Sequence, residues 1–148
     1  SREYIRHVGA VCIVALDDGQ GRIAMERQYR YPVGETVYEI PAGKLDSKQE
    51  DPTAAAQREL REETGITAGR MECLGSFYPT CAYSDEVIHI FLARDLSYGE
   101  RSTDEDEFLS VEMVPLDEVK DMIMRGEIPD GKTQAAVLRV WLMCCGEN

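Results

Sequence analysis

Three carboxylates, Glu59, Glu62 and Glu63, stand at i, i+3 and i+4 within Arg58-Glu59-Leu60-Arg61-Glu62-Glu63-Thr64-Gly65-Ile66. On a helix that spacing sets all three on one face, where like charges repel by about 0.2–0.5 kcal/mol per pair. A hard divalent cation relieves the repulsion, and Mg²⁺ in particular combines a few carboxylates with waters and substrate phosphates. The alternative for the same residues is a solvated acidic face paired with Arg58 and Arg61.

The whole chain supports a folded setting for such a helix. It has 148 residues, 43% of them hydrophobic, enough apolar surface for the core of one domain spanning residues 1–148. With 16 Lys and Arg against 28 Asp and Glu the net charge is −12, and no basic cluster offers the counterion release that nucleic acid binding needs. An anionic partner therefore calls for a metal ion as mediator. No segment has the length of a membrane span or the layout of a signal peptide, which leads us to expect a soluble, cytoplasmic protein without a membrane partner. The five cysteines lack CxxC spacing and read as reduced, mostly buried thiols. His7 and His89 are too few for a multi-histidine metal site, and His89, alternating with Ile88 and Ile90, reads as a strand side chain.

The elements that must position the carboxylates follow from pattern and punctuation. Val8 to Leu16 and Arg22 to Tyr29 read as strands joined across Asp17-Asp18-Gly19, Val37 to Ile40 as a short strand, and the segment with Gly43 and Asp46 as a loop. Asp51 as cap, Pro52 at the first position and Gly65 past the end delimit a helix over about 52–64. Met71 to Tyr78 and Val87 to Ala93 are expected strands, 96–106 an acidic loop, and 111–114 a last strand. Helices follow over about 117–125 and 133–144, the second with Thr133 as its cap. This order predicts an α/β (α+β) chain with a helix-covered sheet.

Arg58 to Ile66 resembles the REUxEExGU core of the Nudix hydrolases, with Leu60 and Ile66 at the aliphatic positions. A chance match in a chain this long is on the order of 10⁻⁵. Glu50 stands the family's seven residues before Arg58, whereas six residues separate Gly43 from Glu50 where the pattern has five. The resemblance is greatest to the ADP-ribose pyrophosphatase branch, through Glu26 to Tyr31, Tyr38 to Leu45, Tyr78 to Glu86 and the late acidic loop before Phe108.

The resemblance implies an α/β/α sandwich with a mixed sheet, and hydrolysis of ADP-ribose to AMP and ribose 5-phosphate with Mg²⁺, or Mn²⁺, as cofactor. It implies Glu59 and Glu63 as principal metal ligands, Glu62 assisting, and the carbonyl of Ala42 completing the set. Arg58 is assigned to the catalytic group as a carboxylate-orienting residue, its other reading being a helix-face ion pair. Arg30 is similar to the branch's phosphate-binding arginine, a task that suits a planar guanidinium; otherwise it is a strand-edge surface residue. Glu39, Pro79, Ser84, Asp85 and Glu86 join it as substrate-binding candidates, Pro79 being otherwise a turn proline and 84–86 a loop end. Glu105 and Glu107 are the candidates for the branch's water-activating glutamate, against a plain acidic loop. The branch also has N-terminal strands that support a homodimer and adenine contacts; these are expected to be absent here, since the chain begins at Ser1 just before the first core strand. Another nucleoside diphosphate derivative as substrate, or a non-catalytic nucleotide sensor, are the competing functions. The complete carboxylate triplet speaks against the sensor.

Overall fold

The apolar run after Gly9 becomes β1 (Ala10–Asp17), a strand buried on both faces, which is why it does not alternate with polar residues. The computed structural model describes residues 1–99 and 110–145. β1 runs parallel to β6 (Ile88–Tyr98), with Ala10 opposite Ile88 through Ala15 opposite Ala93, and its last residues turn to pair with β2 (Arg22–Arg30). β3 (Glu35–Glu39) and β7 (Ser110–Pro115) flank β2, β4 (Ala42–Lys44) pairs antiparallel with β1, and β5 (Ile66–Phe77) borders β6. One parallel pair among antiparallel ones makes the sheet mixed.

Alternate residues of β1 feed two cores. Val11, Ile13 and Ala15 pack with Ala55, Ala56 and Leu60 of α1 (Pro52–Thr64). Cys12, Val14 and Leu16 pack on the opposite side with Val119 and Ile123 of α2 (Leu116–Met124) and with Ala136, Val137 and Val140 of α3 (Gly131–Cys145). Helices therefore cover both faces, as the expected sandwich requires. Among the described residues no helix is long and apolar enough to cross a membrane.

α1 has the expected bounds: the Asp51 side chain accepts the Thr53 N–H, and Gly65, at φ 74°, closes the last turn by donating to the Arg61 carbonyl. Other expectations need correction. β5 begins directly after Gly65 rather than at Met71, and β6 continues through Leu96, Ser97 and Tyr98, because these polar stretches pair with each other across the sheet. β4 lies where a loop was expected; three residues are too few to show a period, and pairing with β1 alone makes them a strand. Thr133 lies inside α3, whose cap is Asp130: its Oδ2 accepts the Thr133 N–H at 3.1 Å and its carbonyl accepts Gln134 N–H. Of the cysteines only Cys12 is buried, while Cys73, Cys81, Cys144 and Cys145 are exposed, the last two because α3 outruns the core at its end.

Thr133 instead ties α3 to the sheet. Its buried hydroxyl donates to Asp130 Oδ2 at 2.6 Å and accepts the Ile40 N–H at 3.1 Å. Thr133→Val keeps the shape but orphans a buried N–H, so urea unfolding is expected to show a loss of about 1–3 kcal/mol. An unchanged midpoint would mean that the hydroxyl does not hold this joint.

Candidate active site

The carboxylates of α1 meet the sheet at β4. Glu59 is turned onto the backbone of Gly43, where a Cβ would come within 2.1 Å of the Glu59 carboxyl carbon. Arg58 lies on the outer side, donating from Nη1 to Glu59 Oε1 at 2.6 Å and from Nε and Nη2 to Glu50 at 3.3 Å. Its Nη1 is also 3.6 Å from Glu62 Oε2. Glu50 in turn accepts the Asp46 N–H at 2.5 Å, so the extra residue before Glu50 is taken up in the loop and the Arg58 contact is kept. Arg58 thus orients carboxylates from the rim, and burial pushes the Glu59 carboxyl up against the opposing pull of that arginine.

Glu63 points inward. Its Oε2 accepts the Ala42 N–H at 3.1 Å, and its carboxyl neighbours that of Glu26 on β2. Glu26 is 1% exposed, and its Oε2 is a buried oxygen without a partner among the described residues. Burial is the main cause that pushes both carboxyls above their ordinary value, followed for Glu63 by the charge of Glu26. Sequence reasoning missed Glu26 as a site residue. The available signal was a lone acid continuing the buried run Ile23-Ala24-Met25.

The same face of β2 and β3 continues the site. Gln28 and Arg30 follow Glu26 at the strand period, and Glu39 stands opposite Glu26 in the register. Glu39 is also 1% exposed. It accepts from Arg30 Nε and Nη2, both at 2.8 Å, and from Lys132 Nζ, while Lys132 also reaches Asp130 at 3.0 Å. Burial opposes the charge of Glu39, yet the Arg30 fork and Lys132 outweigh it and hold the carboxyl below its ordinary range.

These groups border an open cleft of ≈ 1410 Å³ that Arg30, Glu39, Glu59, Glu62, Glu63 and Lys132 all line. Ala42, Pro79 and Glu86 line it as well. Ser84 and Asp85 border a separate hollow: Ser84 Oγ accepts the Glu86 N–H at 3.2 Å, and Asp85 Oδ1 accepts the His7 N–H at 2.6 Å. Glu105 and Glu107 lie outside the described residues.

The donors suit a divalent cation of the hard class. They are all oxygens, and among the described residues Glu26 Oε2 is buried without a hydrogen-bond partner beside the Glu63 carboxyl. Among the described residues no three such side chains are gathered in a closed ligand cluster, since Glu59 is drawn to Arg58 and Glu63 to Ala42. Two outcomes follow. Gly43→Ala is expected to fold normally, because the flexible Glu59 carboxyl can move aside, but to weaken Mg²⁺ affinity about tenfold or more in calorimetric titration; unchanged affinity would remove Glu59 from the ligand set. In chelator, Glu26 and Glu63 bind protons more tightly folded than unfolded, so their contribution to stability is fully present below their ordinary value of 4.5 and is lost as pH rises through their higher folded values. Thermal melts across pH should show that slope in the wild type and a flatter one in Glu63→Gln.

Residues 6–136 match the NUDIX domain. The chain is 44% identical over 138 residues to an ADP-ribose pyrophosphatase of Bacillus subtilis, covering 92% of this chain and 74% of that one. It is 37% identical to an ADP-ribose pyrophosphatase of Mycobacterium tuberculosis, covering 99% and 71%. A crystal structure of an ADP compounds hydrolase superposes with a TM-score of 0.80 at 26% identity, over 95% of this chain and 75% of its own. With the α1 carboxylates facing an open cleft in a sheet covered on both faces, the chain belongs to the NUDIX domain family and is a Nudix pyrophosphohydrolase.

Proposed function

We propose that this chain hydrolyses the diphosphate bond of a nucleoside diphosphate sugar, ADP-ribose before others, yielding AMP and ribose 5-phosphate, with Mg²⁺ as cofactor and Mn²⁺ as its substitute. The observation that carries this reading is one cleft lined by both the α1 carboxylates and the Arg30 guanidinium. Hard-cation donors facing an anion-binding fork are what a bridging diphosphate needs. The substrate itself is taken from the activity named for the relatives in B. subtilis and M. tuberculosis.

When bound, the divalent ion neutralises phosphate oxygens and makes water more acidic. Glu59, Glu63 and the Ala42 carbonyl would hold it, with Glu62 beside them and Glu26 behind Glu63. Arg58 keeps Glu59 in place from the rim. Arg30 uses Nε and Nη2 on Glu39, which leaves Nη1 to the diphosphate, and Glu39 serves the substrate through that arginine. Pro79 and Glu86 border the sugar, and Ser84 and Asp85 hold their loop. Glu105 or Glu107 positions the attacking water, whose oxygen bonds to one phosphorus as the bridging P–O bond breaks, leaving two phosphate monoesters. A homodimer, on family resemblance, and a cytoplasmic location, on the sequence reading, belong to the same proposal.

A panel of ADP-ribose, GDP-mannose, other nucleotide sugars and dinucleoside polyphosphates, assayed with and without Mg²⁺ and with products identified by mass, tests this. Mg²⁺-dependent release of AMP and ribose 5-phosphate is expected. Faster cleavage of another member would replace the substrate, and binding without cleavage of any member would establish a sensor. Glu63→Gln should fold, since the amide mimics the protonated carboxyl beside Glu26, yet lower kcat about a hundredfold or more. Near wild-type turnover at limiting Mg²⁺ would remove Glu63 from the reaction.

A further inference from the structure

Lys132 follows Gly131 and the cap Asp130 at the start of α3 and matches nothing in the α1 motif. Its side chain is 12% exposed, and its ammonium bonds Glu39 and Asp130 in the cleft wall. The first turn that carries it is fixed by the Asp130 cap and by the Thr133 bond to Ile40 N–H, one residue beyond Glu39. A buried ion pair is weak evidence for stability, because apolar residues of similar volume do as well. Its geometry instead points to Arg30. Glu39 is shared by two cations: it holds the Arg30 fork through Nε and Nη2, and Arg30 Nη1 has no partner among the described residues. Arg30 and Lys132 balance Glu39 and Asp130 in charge. Without Lys132 the remaining three carry −1 on the wall where a diphosphate would lie, and Glu39 is left to neutralise Arg30 alone.

We propose that Lys132 is a positioning residue for substrate binding, which shares the charge of Glu39 so that Glu39 orients the Arg30 guanidinium without quenching its pull on the diphosphate. The inference rests on the hydrolase reading above and adds to it a residue from the far end of the chain. Lys132 acts at one remove, through Glu39, and its effect belongs to binding more than to turnover.

The test is a cycle of Lys132→Met, Glu39→Gln and the double variant, with ADP-ribose kinetics and ADP-ribose binding by calorimetry at saturating Mg²⁺. Lys132→Met should raise KM about tenfold with kcat changed less than about threefold, and Lys132→Arg should recover most of the loss. In the Glu39→Gln background the Lys132→Met step should lose most of its effect. The double variant removes one buried charge of each sign, so it tests the coupling even if Lys132→Met alone folds poorly. A KM unmoved by Lys132→Met overturns the proposal. So does an equal effect with and without Glu39, which would make Lys132 a direct ligand, or a loss confined to melting temperature. Failure of the hydrolase reading looks different: wild-type protein then cleaves nothing, and the binding cycle alone decides on Lys132.

Discussion

Negative charge confined between α1 and the sheet is the constraint around which the rest is arranged. Glu26, Glu59 and Glu63 converge at β4, all three with carboxyls raised chiefly by burial, and Glu63 further by the charge of Glu26. An apolar corner cannot hold that charge uncompensated. Compensation is divided by place: Arg58 works from the rim, burial favours the protonated form of Glu63 at the inner end, and a hard cation suits the space between. Glu39, opposite Glu26 in the register, is instead neutralised in full by Arg30 and Lys132. Two neighbouring buried glutamates thus have opposite behaviour. One has its carboxyl held low by fixed cations, and the other has no ion pair among the described residues.

The scaffold makes that division mechanical. β1 is packed on both faces, so α1 on one side and α3 on the other are referred to the same strand. Residues of α1 then sit at defined positions relative to β4, and the first turn of α3 sits at a defined position relative to the end of β3. Sites built on rigid elements keep their geometry better than sites on loops.

Much of the arrangement was legible beforehand for local reasons. α1 announces both ends through Asp51, Pro52 and Gly65, and the spacing of Glu59, Glu62 and Glu63 is a property of the helix itself. What escaped the sequence depends on partners distant along the chain. Glu26 looks like any strand residue until β3 and α1 close over it, and β4 is a strand only because β1 lies beside it. Lys132 carries no signal of its own after the Pro-Asp-Gly turn, and it faces the cleft because Asp130 and the Thr133 joint with Ile40 fix the first turn of α3 there. The same holds for β6, whose polar end 95–98 extends because β5 pairs with it.

The Thr133 joint also bears on how the protein is made. Arg30 and Glu39 leave the ribosome first, whereas Asp130, Lys132 and Thr133 follow more than 90 residues later. During synthesis the cleft wall therefore lacks its second cation until α3 has cleared the exit tunnel and docked, and closing that contact is a long-range event. A nascent chain carrying the complete α1 motif therefore still lacks one member of its cleft wall, and the cleft reaches its final charge only after α3 has folded onto the sheet.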